Sequence, residues 1–244
     1  MVNHSVVPRD EWIEARKRLL AKEKQFTKLR DDLSRERREL PWERVDKPYI
    51  FEGPDGRETL ADLFAGRRQL IIQHFMFDPD WDAACKSCSF WADGYNGFFV
   101  HLQQRDTTFV AVSIAPLAKL TAFKERMGWT FKWVSSQGSS FNHDYQVSDT
   151  PEEKAQDQSC YNYRLDKARG ERAGISVFCR DDSGAIFHTY SCYARGVDMM
   201  NAAYHYLDLT PKGRDEDGLS YPQAWVRRHD EYGPQASSGT DGKS

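Results

Sequence analysis

A run of nine residues, Gln69-Leu-Ile-Ile-Gln-His-Phe-Met-Phe77, constrains this chain more than any other feature of its sequence. It is apolar on both faces, has the length of a strand, and is bounded by Arg67-Arg68 and by Asp78-Pro79-Asp80. A strand with no polar face needs cover on both sides, so it belongs in the centre of a sheet with helices above and below. The downstream texture agrees. Ser89 to Leu102 places Phe90, Trp91, Tyr95, Phe98, Phe99 and Leu102 at helical spacings, interrupted by Gly94 and Gly97, and reads as one helix. Thr107–Ser113 reads as a strand, Leu117–Met127 as a helix closed by Gly128, and Trp129–Val134 as a shorter strand. This alternation is that of an α/β protein. Upstream, Tyr49-Ile50-Phe51, the turn Gly53-Pro54-Asp55-Gly56 and Thr59–Phe64 read as a hairpin leading into one helical turn. Downstream, Ile175–Arg180, the turn Asp181–Gly184 and Ala185–Tyr193 form a second hairpin, so antiparallel strands finish a sheet that began parallel. Asn201–Leu207 reads as a closing helix.

Three segments lie outside that pattern. From Pro8 to Leu40 the chain has no glycine, an acidic first turn at Asp10-Glu11, and Pro41 as a stop, and it reads as one long helix. Trp12, Leu19, Phe26, Leu33 and Leu40 recur every seven positions, while the companion row Ala15, Lys22, Leu29, Glu36 is only half apolar. That single stripe suits an arm laid across its own domain, or a helix shared with a second subunit in a homodimer. Residues 137–170 are polar with weak periodicity and read as loop with short helical pieces. Residues 234–244 are polar without large apolar side chains and read as a disordered tail. The organisation expected is therefore an arm (1–44), one domain (45–233) and a tail (234–244).

The formal charge of −3 at pH 7, with basic and acidic residues interleaved, excludes the basic stripe of a nucleic-acid binder. No apolar run reaches the ~18 to 20 residues that span a bilayer, and MVNHSVVPRDEW has no charged head followed by a greasy stretch, so no membrane association and a cytoplasmic protein are expected. Five cysteines at irregular spacing do not make a secreted disulfide framework.

Two of the five form Cys85-Lys-Ser-Cys88, just after the buried strand and at the start of the aromatic-rich helix. Free amides and the positive end of the helix dipole favour a thiolate there, so Cys85 is the candidate nucleophile, and one helical turn brings Cys88 round to resolve a mixed disulfide. Lys86 adds positive potential. The chemistry indicated is that of a thiol-disulfide oxidoreductase needing no cofactor, its partners a disulfide or thiol substrate and a thiol reductant. A soft metal, Cu(I) or zinc, held by Cys85, Cys88 and His74 is the alternative, although no second C-x-x-C is present. A redox-inactive interaction protein is a further one. Trp81 and Trp91 read as core beside the pair, Arg195 as a surface ion-pair partner, Cys160, Cys179 and Cys192 as inert thiols, and Arg214-Asp-Glu-Asp217 as a solvated loop.

Phe51-Glu-Gly-Pro-Asp-Gly-Arg-Glu-Thr-Leu60, Leu63-Phe64-Ala-Gly66 and Leu70-Ile-Ile-x-x-Phe75 ahead of the cysteines resemble the start of peroxiredoxin-like and thioredoxin-like proteins. More closely, His74-Phe-Met-Phe77, Asp80-Trp81, Cys85-x-Ser-Cys-Ser-Phe-Trp-Ala-Asp93, Met127-Gly-Trp129, His188-Thr-Tyr-Ser191, Tyr193-Ala-Arg-Gly196, Leu207-Asp-Leu-Thr-Pro211 and Gly213-Arg-Asp-Glu-Asp-Gly218 resemble the bacterial family catalogued as domain of unknown function 899. The resemblance runs from Val7 to about Tyr232 and implies a thioredoxin-like fold, a mixed sheet covered by helices with a long N-terminal arm, without implying a substrate. Two departures stand out. Thioredoxin-like oxidoreductases carry a cis-proline before the strand facing the cysteines, where this chain has Ala173-Gly174. Peroxiredoxins carry Pro-x-x-x-Thr/Ser-x-x-Cys, and Pro79-Asp-Trp-Asp-Ala-Ala-Cys85 lacks both the spacing and the hydroxyl, which disfavours a typical peroxidase.

Overall fold

The computed structural model describes residues 4–233, and the expected tail lies outside the described residues. The chain divides into two compact units that meet between Glu43 and Arg44. The first holds α1 (Arg9–Glu39), which starts after Pro8 and stops at Leu40. No residue of α1 is buried, and Trp12 and Phe26 of its stripe are 55% and 67% exposed.

The second unit is built on an eight-stranded mixed sheet. Its elements in chain order are β1 (Glu43–Arg44), β2 (Ile50–Gly53), β3 (Gly56–Thr59), α2 (Leu60–Leu63), β4 (Gln69–His74), α3 (Lys86–Tyr95), α4 (Phe99–Gln103), β5 (Thr107–Ser113), α5 (Leu117–Arg126), β6 (Lys132–Ser135), α6 (Phe141–Asp144), α7 (Pro151–Gln156), β7 (Ser159–Tyr161), β8 (Arg164–Asp166), β9 (Gly174–Arg180), β10 (Ile186–Tyr193), a 3-10 helix (Ala194–Met200) and α8 (Ala202–Leu207). The main sheet runs β1-β10-β9-β4-β5-β6-β2-β3, while β7 and β8 form a separate hairpin. β4, β5 and β6 are parallel, β9 runs against them, and β10 turns back antiparallel to β9 and so in the direction of β4, as the second hairpin reading required.

The central strand explains the layering. Successive side chains point to opposite faces, so Leu70 and Ile72 join Val110, Val112, Val134 and Phe178 on one face, under Leu63 and Phe64. Ile71, Phe75 and Phe77 join Ala111 and Trp133 on the other, under Trp91 and Tyr95 of α3 and Leu120 and Phe123 of α5. Fully burying one such side chain contributes ~1.5 to 3 kcal/mol, so two dry faces hold β4 in the middle far more firmly than its backbone hydrogen bonds alone.

The helix expected from Ser89 to Leu102 is in fact two. Asn96 caps α3 with extended backbone, and Gly97 at φ +111 takes a conformation that an L side chain rarely adopts. The glycine interrupts the helix and α4 resumes at Phe99. Residues 137–170, read as loop with short helical pieces, contribute to the core: Phe141 is fully buried and packs on Tyr145 with ring centroids 4.6 Å apart, closing the face of Leu70 and Ile72. The same stretch holds α7, set by the Thr150/Glu153 capping box with Pro151, and the β7–β8 hairpin, which the sequence did not suggest. The run at 214–217 is a loop with Asp215 and Asp217 exposed, but it is anchored at Glu216. Glu216 accepts hydrogen bonds from Tyr204 Oη, Trp225 Nε1 and the Gln223 amide, at 2.8, 2.6 and 3.0 Å.

Candidate functional site

β4 ends at His74 and the chain turns through residues 75–84 before α3 begins. Two cations clamp that turn. Lys119 donates to the carbonyls of Pro79 and Trp81 at 2.6 and 2.7 Å, and the Arg228 guanidinium donates twice to the Ala84 carbonyl, at 3.1 and 2.6 Å. The next residue, Cys85, is the N-cap of α3, its own amide tied to the Met76 carbonyl at 3.1 Å and its carbonyl accepting from the Ser89 amide and hydroxyl. Cys85 is half-buried where the helix opens.

Both cysteines are free. The Cys85 thiol is pulled from 9.0 down to about 6, first by the Cys88 thiol, which donates a hydrogen bond to the thiolate, and then by the amides of Cys88 and Ser87 and the Ser87 hydroxyl. Burial opposes this and is outweighed. Cys88 is pushed the other way, well above its ordinary value, because it gives its proton to that hydrogen bond and lies buried beside the resulting charge. One thiolate poised next to one protected thiol is the asymmetry that a dithiol exchange needs. The reading from the helix start is therefore matched by specific donors, with Ser87 as an addition that lay unnoticed inside the motif. Lys86 is not among the main causes of the lowered thiol, and its ammonium lies over the Tyr221 ring, 5.7 Å from the centroid.

Glu171 is a further group that sequence reasoning missed. It is 6% exposed, and burial raises its carboxyl from 4.5 to about 7. Its charge is felt at Cys88. Glu171 lies 83 positions downstream of Cys88 with no motif around it, so only the pairing of Glu171 with Ser148 and of Gly174 with His74 brings it in. Tyr161 is similar, donating to the Ala173 carbonyl at 2.7 Å and accepting from the Ala194 amide at 2.9 Å.

His74 is not brought to the pair. Its ring stacks on Phe141 and Tyr145, on the face of the sheet opposite Cys88, and its Nε2 is 2.8 Å from Ser176 Oγ. Burial lowers its pKa from 6.5 to about 3, so it stays neutral as a packed core residue. Among the described residues no group of three or more His, Cys, Asp or Glu is arranged to hold a metal. Trp91 is core beside the pair, its Nε1 donating to the Val197 carbonyl at 2.9 Å. Arg195 is 89% exposed at the side chain and 3.5 Å from Asp198. Cys192 is buried, and Cys160 and Cys179 are partly so. Gly174 holds the place of the missing proline: a Cβ there would meet the Tyr193 ring at 2.5 Å.

The order β5-β4-β9-β10, with a C-x-x-C pair opening the helix that follows the central strand, defines a thioredoxin-like protein. The chain belongs to the family described as bacterial protein of unknown function (DUF899), matched over residues 1–232. No curated protein matches it. Solved structures similar to it include peroxidoxin BcpB from Mycobacterium tuberculosis, with 11% identity, TM-score 0.43, and 67% of this chain and 94% of that one covered. Peroxiredoxin Q of Xanthomonas campestris gives 12%, 0.45, 67% and 93%, and the mitochondrial 2-cys peroxiredoxin of Plasmodium falciparum 11%, 0.39, 75% and 99%. At these scores the likeness is one of outline, and no catalytic residue is carried over from it. No described helix is long and apolar enough to cross a membrane.

Proposed function

We propose that the protein is a thiol-disulfide oxidoreductase whose substrate is a disulfide and whose reductant is an external thiol. The observation that supports this best is Cys85 at the N-cap of a ten-residue helix, its thiolate facing the Cys88 thiol and two backbone amides. In the reductive direction the Cys85 thiolate attacks one sulfur of the substrate, a mixed disulfide forms, and the other sulfur leaves as a thiolate. Cys88 then loses its proton, attacks Cys85 Sγ and expels the second substrate thiolate. The substrate gains two electrons, the protein holds a Cys85–Cys88 disulfide, and two equivalents of external thiol restore it. Glu171, at about 7, is matched to accepting the Cys88 proton near neutral pH.

The test is single-turnover reaction of the reduced protein with a disulfide-linked peptide, followed by mass. The wild type yields the internal disulfide and two peptide thiols, Cys88→Ser stops at a mixed disulfide on Cys85, and Cys85→Ser reacts with neither. Full turnover by Cys85→Ser would remove the proposal.

A further inference from the structure

The helix-opening thiol attacks, but something must hold the molecule it attacks. Beside it, in the same unit, is a groove of about 610 Å³, a volume in the range of small-ligand sites. Its walls come from the turn of the β7–β8 hairpin (Asn162, Tyr163, Arg164) and from the end of β10 with the start of the 3-10 helix (Tyr193, Ala194, Arg195).

Three properties mark it as built. Asn162, Tyr163 and Ala194 all have left-handed backbone, at φ 52, 62 and 48, and none is glycine. At Asn162 and Tyr163 this is what a two-residue hairpin turn between Tyr161 and Arg164 requires, and at Ala194 it is a strained conformation of the kind that gathers at ligand clamps. The two rims are fastened together, Tyr163 Oη donating to the Ser191 carbonyl at 3.0 Å and the Ala194 amide donating to Tyr161 Oη at 2.9 Å. The charge is of one sign: the lining holds Arg164 and Arg195 and no carboxylate. Arg164 has no hydrogen-bond or salt-bridge partner among the described residues, although Asp166 feels its charge, and Arg195 makes one weak, solvent-exposed pairing with Asp198 at 3.5 Å and is felt at Asp208.

The register fixes where the groove lies relative to the thiol. Tyr193 on β10 is level with Gly174 on β9, which is level with His74 on β4. Cys85 hydrogen-bonds Met76, two residues beyond His74, while Ala194 and Arg195 follow directly beyond Tyr193. Thiol and groove rim therefore share one end of the sheet, on strands two spacings or roughly 10 Å apart. An extended peptide covers that span in about three residues.

We infer that this groove binds the body of the substrate, an extended peptidyl disulfide carrying a carboxylate about three residues from its reacting sulfur, with Arg164 and Arg195 receiving the carboxylate and the tyrosines the peptide. The inference rests on the oxidoreductase reading of Cys85 for its chemistry, and its test separates the two. Binding is measured by titration calorimetry on the Cys85→Ser protein, which cannot react, with the disulfide-linked dimer of acetyl-Cys-Gly-Gly-Asp-amide and with its Asn counterpart. The Asp peptide is expected to bind about tenfold more tightly at low salt, and the preference to fall to about onefold in Arg164→Ala/Arg195→Ala and to return in part with lysine at both positions. Equal affinity for the two peptides, or a preference that survives loss of both arginines, overturns the groove assignment whatever the reactivity of Cys85. A preserved Asp preference in a protein whose Cys85 proves unreactive would instead remove the oxidoreductase reading and leave the groove as an acidic-peptide site.

Discussion

Replacing Cys88 by alanine takes away the main cause of the low Cys85 pKa, the thiol that donates to the thiolate, while leaving the amides of residues 87 and 88 and the Ser87 hydroxyl in place. With a midpoint of about 6, about nine-tenths of Cys85 is ionised at pH 7, against about one-hundredth at the ordinary value of 9.0. Full loss of the shift would thus cut the thiolate about 90-fold at pH 7 and about 500-fold at pH 6. A less stabilised thiolate is also a better nucleophile, by about 20-fold over this range at a Brønsted slope of ~0.45. The net limits are therefore alkylation about 4-fold slower at pH 7 and about 20-fold slower at pH 6, with faster reaction above about pH 8 where the two profiles cross. Because the amides remain, the Cys88→Ala midpoint is expected between 6 and 9. The assay is carbamidomethylation of Cys85 by iodoacetamide across pH 4 to 10, read by peptide mass. Cys88→Ser keeps a donor and should keep most of the shift. A wild-type midpoint near 9, or identical profiles for the alanine and serine variants, would refute this account of the site.

Other consequences follow from individual side chains. Glu171 has a folded pKa of about 7 against 4.5, so the stability it leaves intact below pH 4.5 is lost as pH rises towards 7, and Glu171→Gln should gain about 3 kcal/mol at pH 8 by urea unfolding and nothing at pH 4. For His74, lowered from 6.5 to about 3, stability is present above pH 6.5 and drains as pH falls towards 3; His74→Gln should flatten that acid slope. Arg228→Ala removes both hydrogen bonds to Ala84 and should cost about 1.5 to 3 kcal/mol in thermal or urea unfolding, with Cys85 made less reactive at pH 6 as its turn loosens. Trp133→Ala, which empties a fully buried position between β4 and α5, should cost about 3 to 5 kcal/mol.

Where physics acts locally, the sequence was readable. The two-faced run at 69–77 placed β4, alternation placed the 175–193 hairpin, and the spacing of Cys85 and Cys88 placed the thiols at a helix start. The misreadings have equally physical causes. Gly97 broke a helix whose apolar spacing was sound, because one positive φ outweighs periodicity. Phe141 and Tyr145 are core residues in a segment too polar and short-ranged to show a period. Glu171, Tyr161 and Arg228 reach the cysteines only through sheet register or chain return, so no local pattern announces them. His74 sits close in sequence to the pair yet faces away, since one step along a strand changes sides.

The double hydrogen bond from Arg228 to Ala84 joins positions 144 apart. At ~5 to 20 residues per second a ribosome needs about 7 to 30 s to travel from one to the other. During that interval the nascent chain already exposes both thiols, but the bend that presents them lacks the second of its two fastenings. Competence for the proposed exchange therefore arrives late in biosynthesis, and the tension between emerging early and maturing last gives small cellular disulfides time to cap either cysteine, each releasing one thiol, before the fold is complete.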